Sequence, residues 1–186
     1  MIDTLVIVGN GFDIWQHLQT SYGQFKTYYL EHRNQIMNEL QIHTIEVIED
    51  GKSKCLTPVE LIYGDPFEAS DLGEGFWNQF ETSLSRIDAQ RLNLFFDKEK
   101  DDLAWMKVTV DNARRILNKA FYDWIDTIDV RDNADFQKFV KEHELENFKF
   151  ADNCFFISFN YIKTLEERFD IDEECVFHIH CHSVPK

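Results

Sequence analysis

Leu5-Val6-Ile7-Val8-Gly9-Asn10-Gly11-Phe12-Asp13 is a short apolar run, mostly β-branched, that ends on a spaced pair of glycines. Four apolar residues closed by glycine predict a strand buried on both faces of a parallel sheet, followed by a helix. Open α/β sheets take ligands beyond the carboxyl ends of their strands, so the Gly9 end is the ligand side. Two glycines after a buried strand let the backbone turn tightly and bring its N–H groups to a phosphate. The pattern is only G-x-G, with Ile14 where the dinucleotide fingerprint carries its third glycine, so an ordinary tight turn is the competing reading. Asn10 and Asp13, two polar side chains in the same loop with Phe12 between them, favour the ligand loop.

Strand character returns at the far end. Cys154-Phe155-Phe156-Ile157-Ser158-Phe159 reads as a strand, Tyr161 to Phe169 has helical spacing, and Cys175-Val176-Phe177-His178-Ile179-His180 reads as a second strand. Parallel strands need such a crossover, and crossovers within one sheet are right-handed, so both strands are expected to join the N-terminal strand in one sheet. Asn160 then stands at a carboxyl strand end, where it can face Asp13. Its amide suits a ribose or an amide leaving group, and capping the helix over 161–169 is an equal alternative. His178 and His180 alternate with Ile179, which in a strand puts both rings on one face, with His182 next if the strand persists. One reading makes His180 a general base. A second makes His178, His180 and His182 a metal site, although no carboxylate or thiolate at fixed spacing completes the set. A third leaves the histidines as satisfied polar groups at a strand end.

Between these ends the chain reads as largely helical. Ser21 with Gln24 three residues on, then Tyr22, Phe25, Tyr29, Ile36 and Leu40, predict a long helix after residue 21. Ile45, Val47 and Ile48 suggest a short strand, while Gly51, Pro58, Gly64, Pro66 and Gly73 mark loops. Phe76, Trp77, Phe80, Leu84 and Ile87 form one amphipathic stripe, read as packing rather than a base-stacking surface. Leu103, Met106, Val110, Ala113, Leu117, Ala120, Trp124 and Ile128 form a longer one, read as core in preference to a partner face. Phe136, Phe139 and Val140 suggest one more short helix.

The 186 residues suit one domain, and 44% hydrophobic with 15% aromatic content excludes a disordered chain. The 34 acidic against 19 basic residues give a formal charge of -15, which disfavours DNA or RNA in the absence of a basic patch. The densest basic stretch, Arg114, Arg115 and Lys119, lies among acids at helical spacing and reads as a solvated face. Cys55, Cys154, Cys175 and Cys181 form no C-x-x-C pair, which fits reduced thiols and a cytoplasmic location. The start lacks a basic leader region, and Leu5 to Val8 is too short to span a membrane.

Five blocks together resemble the bacterial AbiH family of phage abortive-infection proteins. They are Val6 to Asp13, Thr20-Ser21-Tyr22 with Phe25, Phe76-Trp77-x-x-Phe80-Glu81, Ser158-Phe159-Asn160-Tyr161 with Thr164-Leu165-Glu166, and His178-Ile179-His180. That family is in turn similar in layout to sirtuin-like NAD-binding domains. The resemblance implies a three-layer Rossmann-like α/β sheet in a single domain over 1–186, with a mostly helical insertion at about 42–152. It also implies a site for NAD or a related ADP-ribose nucleotide. Gly9, Asn10 and Gly11 would hold the phosphates, Phe12 and Asp13 would complete the loop, with Asp13 at the ribose region. Asn160 would orient the nicotinamide ribose and His180 would be the base. Cys181 departs from the glycine that these families carry after the histidine, and the chain is expected to be shorter than its relatives beyond Lys186. The expected activity is phage defence through nucleotide binding, with hydrolysis of the nicotinamide glycosidic bond as its catalytic form. A non-catalytic nucleotide sensor, acting through a protein partner or a homo-oligomer, is the alternative. A metal-dependent hydrolase or nuclease is a third.

Overall fold

A computed structural model describes residues 4–49, 51–64, 102–131, 134–144, 149–151 and 153–180. The helix expected over 76–87, Cys181 and His182 lie outside them. The chain divides into two compact units, Met1–Ser21 with Ile125–Lys186, and Tyr22–Trp124. The inserted unit therefore starts and ends earlier than the insertion expected at about 42–152.

The first unit holds the parallel sheet. Strand β1 (Thr4–Val8) runs into helix α1 (Asn10–Trp15), and strand β4 (Cys154–Ser158) is followed by helix α6 (Thr164–Phe169), a 3-10 turn over Glu173–Cys175 and strand β5 (Val176–His178). Strand order is β1-β4-β5. The register pairs Val8 with Ser158 and Ser158 with His178, so three carboxyl strand ends lie side by side. The strand, helix and strand expected at the end of the chain are present, although the helix starts at Thr164 rather than Tyr161 and β5 stops at His178.

Val8, Cys154, Phe156 and Leu165 form the core on one face of this sheet, joined by Val6, Phe12, Phe150, Ile171 and Val176. The other face departs from the expectation of a strand buried on both sides. Leu5 is 57% exposed, Ile7 66% and Phe177 57%, with Ile7, Ile157 and Phe177 in one cross-strand row. Strand order gives the reason. Right-handed crossovers reach the second face of a parallel sheet only where the order reverses, and the order among the described strands never does. Helix α5 (Ala134–Glu142) completes this unit, its Phe139 ring set edge-on to Trp15 at 4.6 Å.

The second unit contains α2 (Tyr22–Glu39), an antiparallel hairpin of β2 (Ile45–Glu49) and β3 (Lys52–Leu56), α3 (Pro58–Tyr63) and most of α4 (Asp102–Ile125). Its core follows the helical stripes. Tyr22, Phe25, Tyr29 and Ile36 are buried on α2, and Ala113, Ile116, Leu117, Ala120 and Trp124 on α4. Phe25 meets Phe121 and Trp124 with ring centroids 5.5 and 5.3 Å apart. Ala113, Leu117, Ala120 and Trp124 of the longer stripe are thus core, as expected, with Met106, Val110 and Ile128 half-buried. Lys119 bridges Glu39 at 3.0 Å and Asp123 at 2.9 Å.

Pro58, expected in a loop, opens helix α3 instead. Thr57 and Glu60 form a reciprocal capping box, the Glu60 N–H donating to Thr57 Oγ1 at 3.1 Å and the Thr57 N–H to Glu60 Oε2 at 2.8 Å. Val59, Leu61 and Ile62 follow, fully buried. Thr57→Ala is expected to cost about 1 kcal/mol by removing one half of the box. Urea denaturation of the purified variant checks this, and an unchanged midpoint refutes it.

Candidate functional site

The glycine stretch is shorter as a loop than its sequence suggests. Gly9 alone separates β1 from α1, because Asn10 already stands in the helix and the Phe12 N–H donates to the Gly9 carbonyl at 2.8 Å. Asp13 therefore lies one turn into α1, on the face that turns inward. It is 1% exposed, as is Asn160.

The two meet as the sequence suggested. Asp13 Oδ1 accepts from Asn160 Nδ2 at 2.8 Å and from the Thr164 hydroxyl at 2.7 Å. Asn160 is fixed in turn by its own N–H, which donates to Ser158 Oγ at 3.2 Å. It does not cap α6, whose flanking residue is Lys163. Asp13 Oδ2 and Asn160 Oδ1 are buried without a hydrogen-bond partner among the described residues.

Burial raises the Asp13 pKa from 3.8 to about 7, against the lowering effects of the Thr164 hydroxyl, the Arg168 charge and the Asn160 amide. Taking a carboxylate out of water disfavours its ionised form, and here that outweighs three favourable partners. The result is a carboxyl that changes charge near neutral pH while sealed from solvent.

Arg168, on the last turn of α6, ties this node to its surroundings. Its Nε donates to the Val130 carbonyl at 2.6 Å, and one terminal nitrogen donates to the Gln16 carbonyl at 3.2 Å and to Gln16 Oε1 at 3.3 Å. The guanidinium lies 3.9 Å over the Phe136 ring, a favourable cation–π placement. Burial pulls its pKa down to about 10, with the Asp13 and Asp129 charges acting the other way, so it stays charged at neutral pH. Gln16 itself donates to the Phe12 carbonyl at 3.2 Å. Asn10 also faces the protein, its Nδ2 donating to the Thr20 carbonyl at 2.9 Å. Its side chain fixes the segment that leaves α1.

The histidines separate. His178 Nε2 is 2.6 Å from Glu166 Oε1, with side chains 15% and 9% exposed. Since β5 ends at His178, the strand alternation expected to align the three rings is not continued. His180 is exposed, its ring stacked on Tyr161 at 4.7 Å and 19°. Among the described residues, no group of three or more His, Cys, Asp or Glu is arranged to hold a metal.

Thr164 and Arg168 are site residues that the sequence reading left without a role. Their signal was present: they sit four apart on the helix that follows Asn160, so one face of α6 delivers both to the carboxyl end of β1.

The class is therefore a mixed α/β protein with a three-stranded parallel sheet and a buried acid–amide node beneath its first strand–helix turn. The model of the bacteriophage abortive infection AbiH family matches residues 5–185, and the chain belongs to that family. No curated protein and no solved structure gives a match. Membership points to a phage-defence role of the abortive-infection kind. Among the described residues, no helix is long and apolar enough to cross a membrane.

Proposed function

We propose that this chain acts in phage defence, in the cytoplasm, by binding NAD or a related ADP-ribose nucleotide at the carboxyl edge of its parallel sheet. The three strands would belong to a Rossmann-like, sirtuin-type layout, with the backbone of Gly9, Asn10 and Gly11 against the phosphates. One observation carries the reading. Gly9 has extended backbone and Gly11 lies in a helix, conformations open to any residue, and a Cβ added at either would meet no atom within 4 Å. Neither strain nor packing calls for glycine there, whereas close approach of a ligand to the backbone does.

Asp13 and Asn160 are too buried to touch such a ligand and act as positioning residues beneath the turn. His180, exposed beside Tyr161, is the group assigned to activate water or a ribose hydroxyl for cleavage of the nicotinamide glycosidic bond. The burial of Asp13 and Asn160 favours a second reading as well, a nucleotide sensor that binds without turnover.

Gly11→Ala separates ligand from fold. Alanine in the first turn of α1 is expected to raise stability by about 0.5 kcal/mol, while its methyl group, standing where the phosphate would lie, weakens NAD and ADP-ribose binding at least about tenfold. Calorimetric titration alongside thermal melts measures both. A Gly11→Ala protein that binds as tightly as the parent ends the ligand-loop reading. Nicotinamide release no faster than that of His180→Ala, in a protein that binds NAD, leaves the sensor.

A further inference from the structure

Beyond the turn, the same edge of the sheet carries aromatic rings, one of them largely open to solvent. The Phe159 N–H donates to the Val8 carbonyl at 2.9 Å, and the Ile179 N–H donates to the Ser158 carbonyl at 2.8 Å. These bonds extend the ladder one residue past β4 and β5 and pin Phe159 beside Gly9. Phe159 is nevertheless 46% exposed. The His180 ring leans on it, centroids 6.4 Å apart at 67°, while stacking flat on Tyr161. Phe159, Tyr161 and His180 thus bracket Asn160 and form an aromatic step next to the glycine turn.

We propose that Phe159, backed by the His180–Tyr161 stack, is a ledge on which the heteroaromatic ring of the bound nucleotide lies. The inference rests on the nucleotide reading and adds the moiety recognised: the planar nucleobase, in addition to the sugar phosphate. An exposed aromatic whose backbone is held by ladder bonds at a strand end needs little main-chain ordering on binding, and every nucleobase offers a π-face to it. Leu5 and Ile7 continue the apolar surface away from the turn, so the ledge is the part of that surface within reach of a ligand whose phosphates sit at Gly9.

The experiment titrates ADP-ribose and ribose 5-phosphate into the full chain and into Phe159→Leu and Phe159→Trp. Expected are a loss of roughly 5- to 150-fold in ADP-ribose affinity for Phe159→Leu, the worth of stacking one base, and retention of affinity in Phe159→Trp. Ribose 5-phosphate, which has no ring to stack, should bind all three proteins alike, and that equality also reports an intact turn in the leucine variant. The ledge is overturned if Phe159→Leu binds ADP-ribose like the parent, if it loses both ligands equally, or if the parent binds the two ligands with the same affinity. In the first and third cases nucleotide binding itself stands. A parent protein that binds neither ligand overturns both proposals.

Discussion

Replacing Asp13 by asparagine is expected to flatten the dependence of stability on pH between about pH 4 and pH 8. Burial raises the Asp13 carboxyl from 3.8 to about 7. The native state therefore keeps a proton that the unfolded chain releases near pH 4. A group held this way contributes its full stability below the unfolded value and loses it as pH rises through the folded one. At about 1.4 kcal/mol per pH unit over roughly three units, the loss is on the order of 4 kcal/mol, complete above about pH 8. Asparagine retains an oxygen that can accept from Asn160 and Thr164 and has no proton to lose. Urea denaturation of both proteins across this range is the measurement. Parallel stability curves would show that folding leaves the Asp13 pKa at its ordinary value. Alanine at the same position is a harsher change, because it leaves the Asn160 amide and the Thr164 hydroxyl as buried donors without an acceptor.

Arg168→Ala should cost about 3 kcal/mol or more. Its guanidinium satisfies the Val130 carbonyl and both oxygens of Gln16, so truncation orphans three acceptors at once. The charge also lies close enough to Asp13 to lower its pKa. Loss of that charge is expected to push the Asp13 carboxyl still higher and move the pH-dependent loss of stability to more alkaline pH. Arg168→Lys keeps a positive charge but not the planar fork, so it should preserve the pH midpoint better than the alanine variant while recovering little of the stability. A midpoint that stays unmoved in Arg168→Ala would separate Arg168 from Asp13.

The legible parts of this fold were those in which adjacent residues carry the signal. β1 and β4 are largely apolar runs and β5 is a short Val-Phe-His strand, and their expected place in one sheet was enough to suggest that Asn160 can face Asp13 across 147 residues. Helices α2 and α4 announced themselves through period-3.6 stripes. Strand β3 did not, because Lys52, Ser53, Lys54 and Cys55 are exposed and carry no buried alternation, and only Asp50-Gly51 hinted at the hairpin, with Gly51 at φ +74°. The capping box at Thr57 and Glu60 was written in the sequence but hidden behind Pro58, which suits the first turn of a helix as well as a loop. At the site, the G-x-G spelling suggested an open loop, whereas Asn10 enters the helix at once and turns its amide to Thr20. The pairing of His178 with Glu166 was out of reach for a different reason: it depends on how the crossover helix lies against β5, a tertiary fact that no local spacing encodes.

The exposed apolar residues on one face of the sheet tie the colloidal behaviour of the protein to its charge. Leu5, Ile7 and Phe177 present apolar, uncharged surface in the folded state, the kind that draws native molecules together without any unfolding. The formal charge of -15 opposes this at neutral pH through mutual repulsion. Salt shortens the reach of that repulsion to about 8 Å at physiological ionic strength while leaving apolar attraction intact, so concentrated solutions of the folded chain should cluster more readily as salt is added.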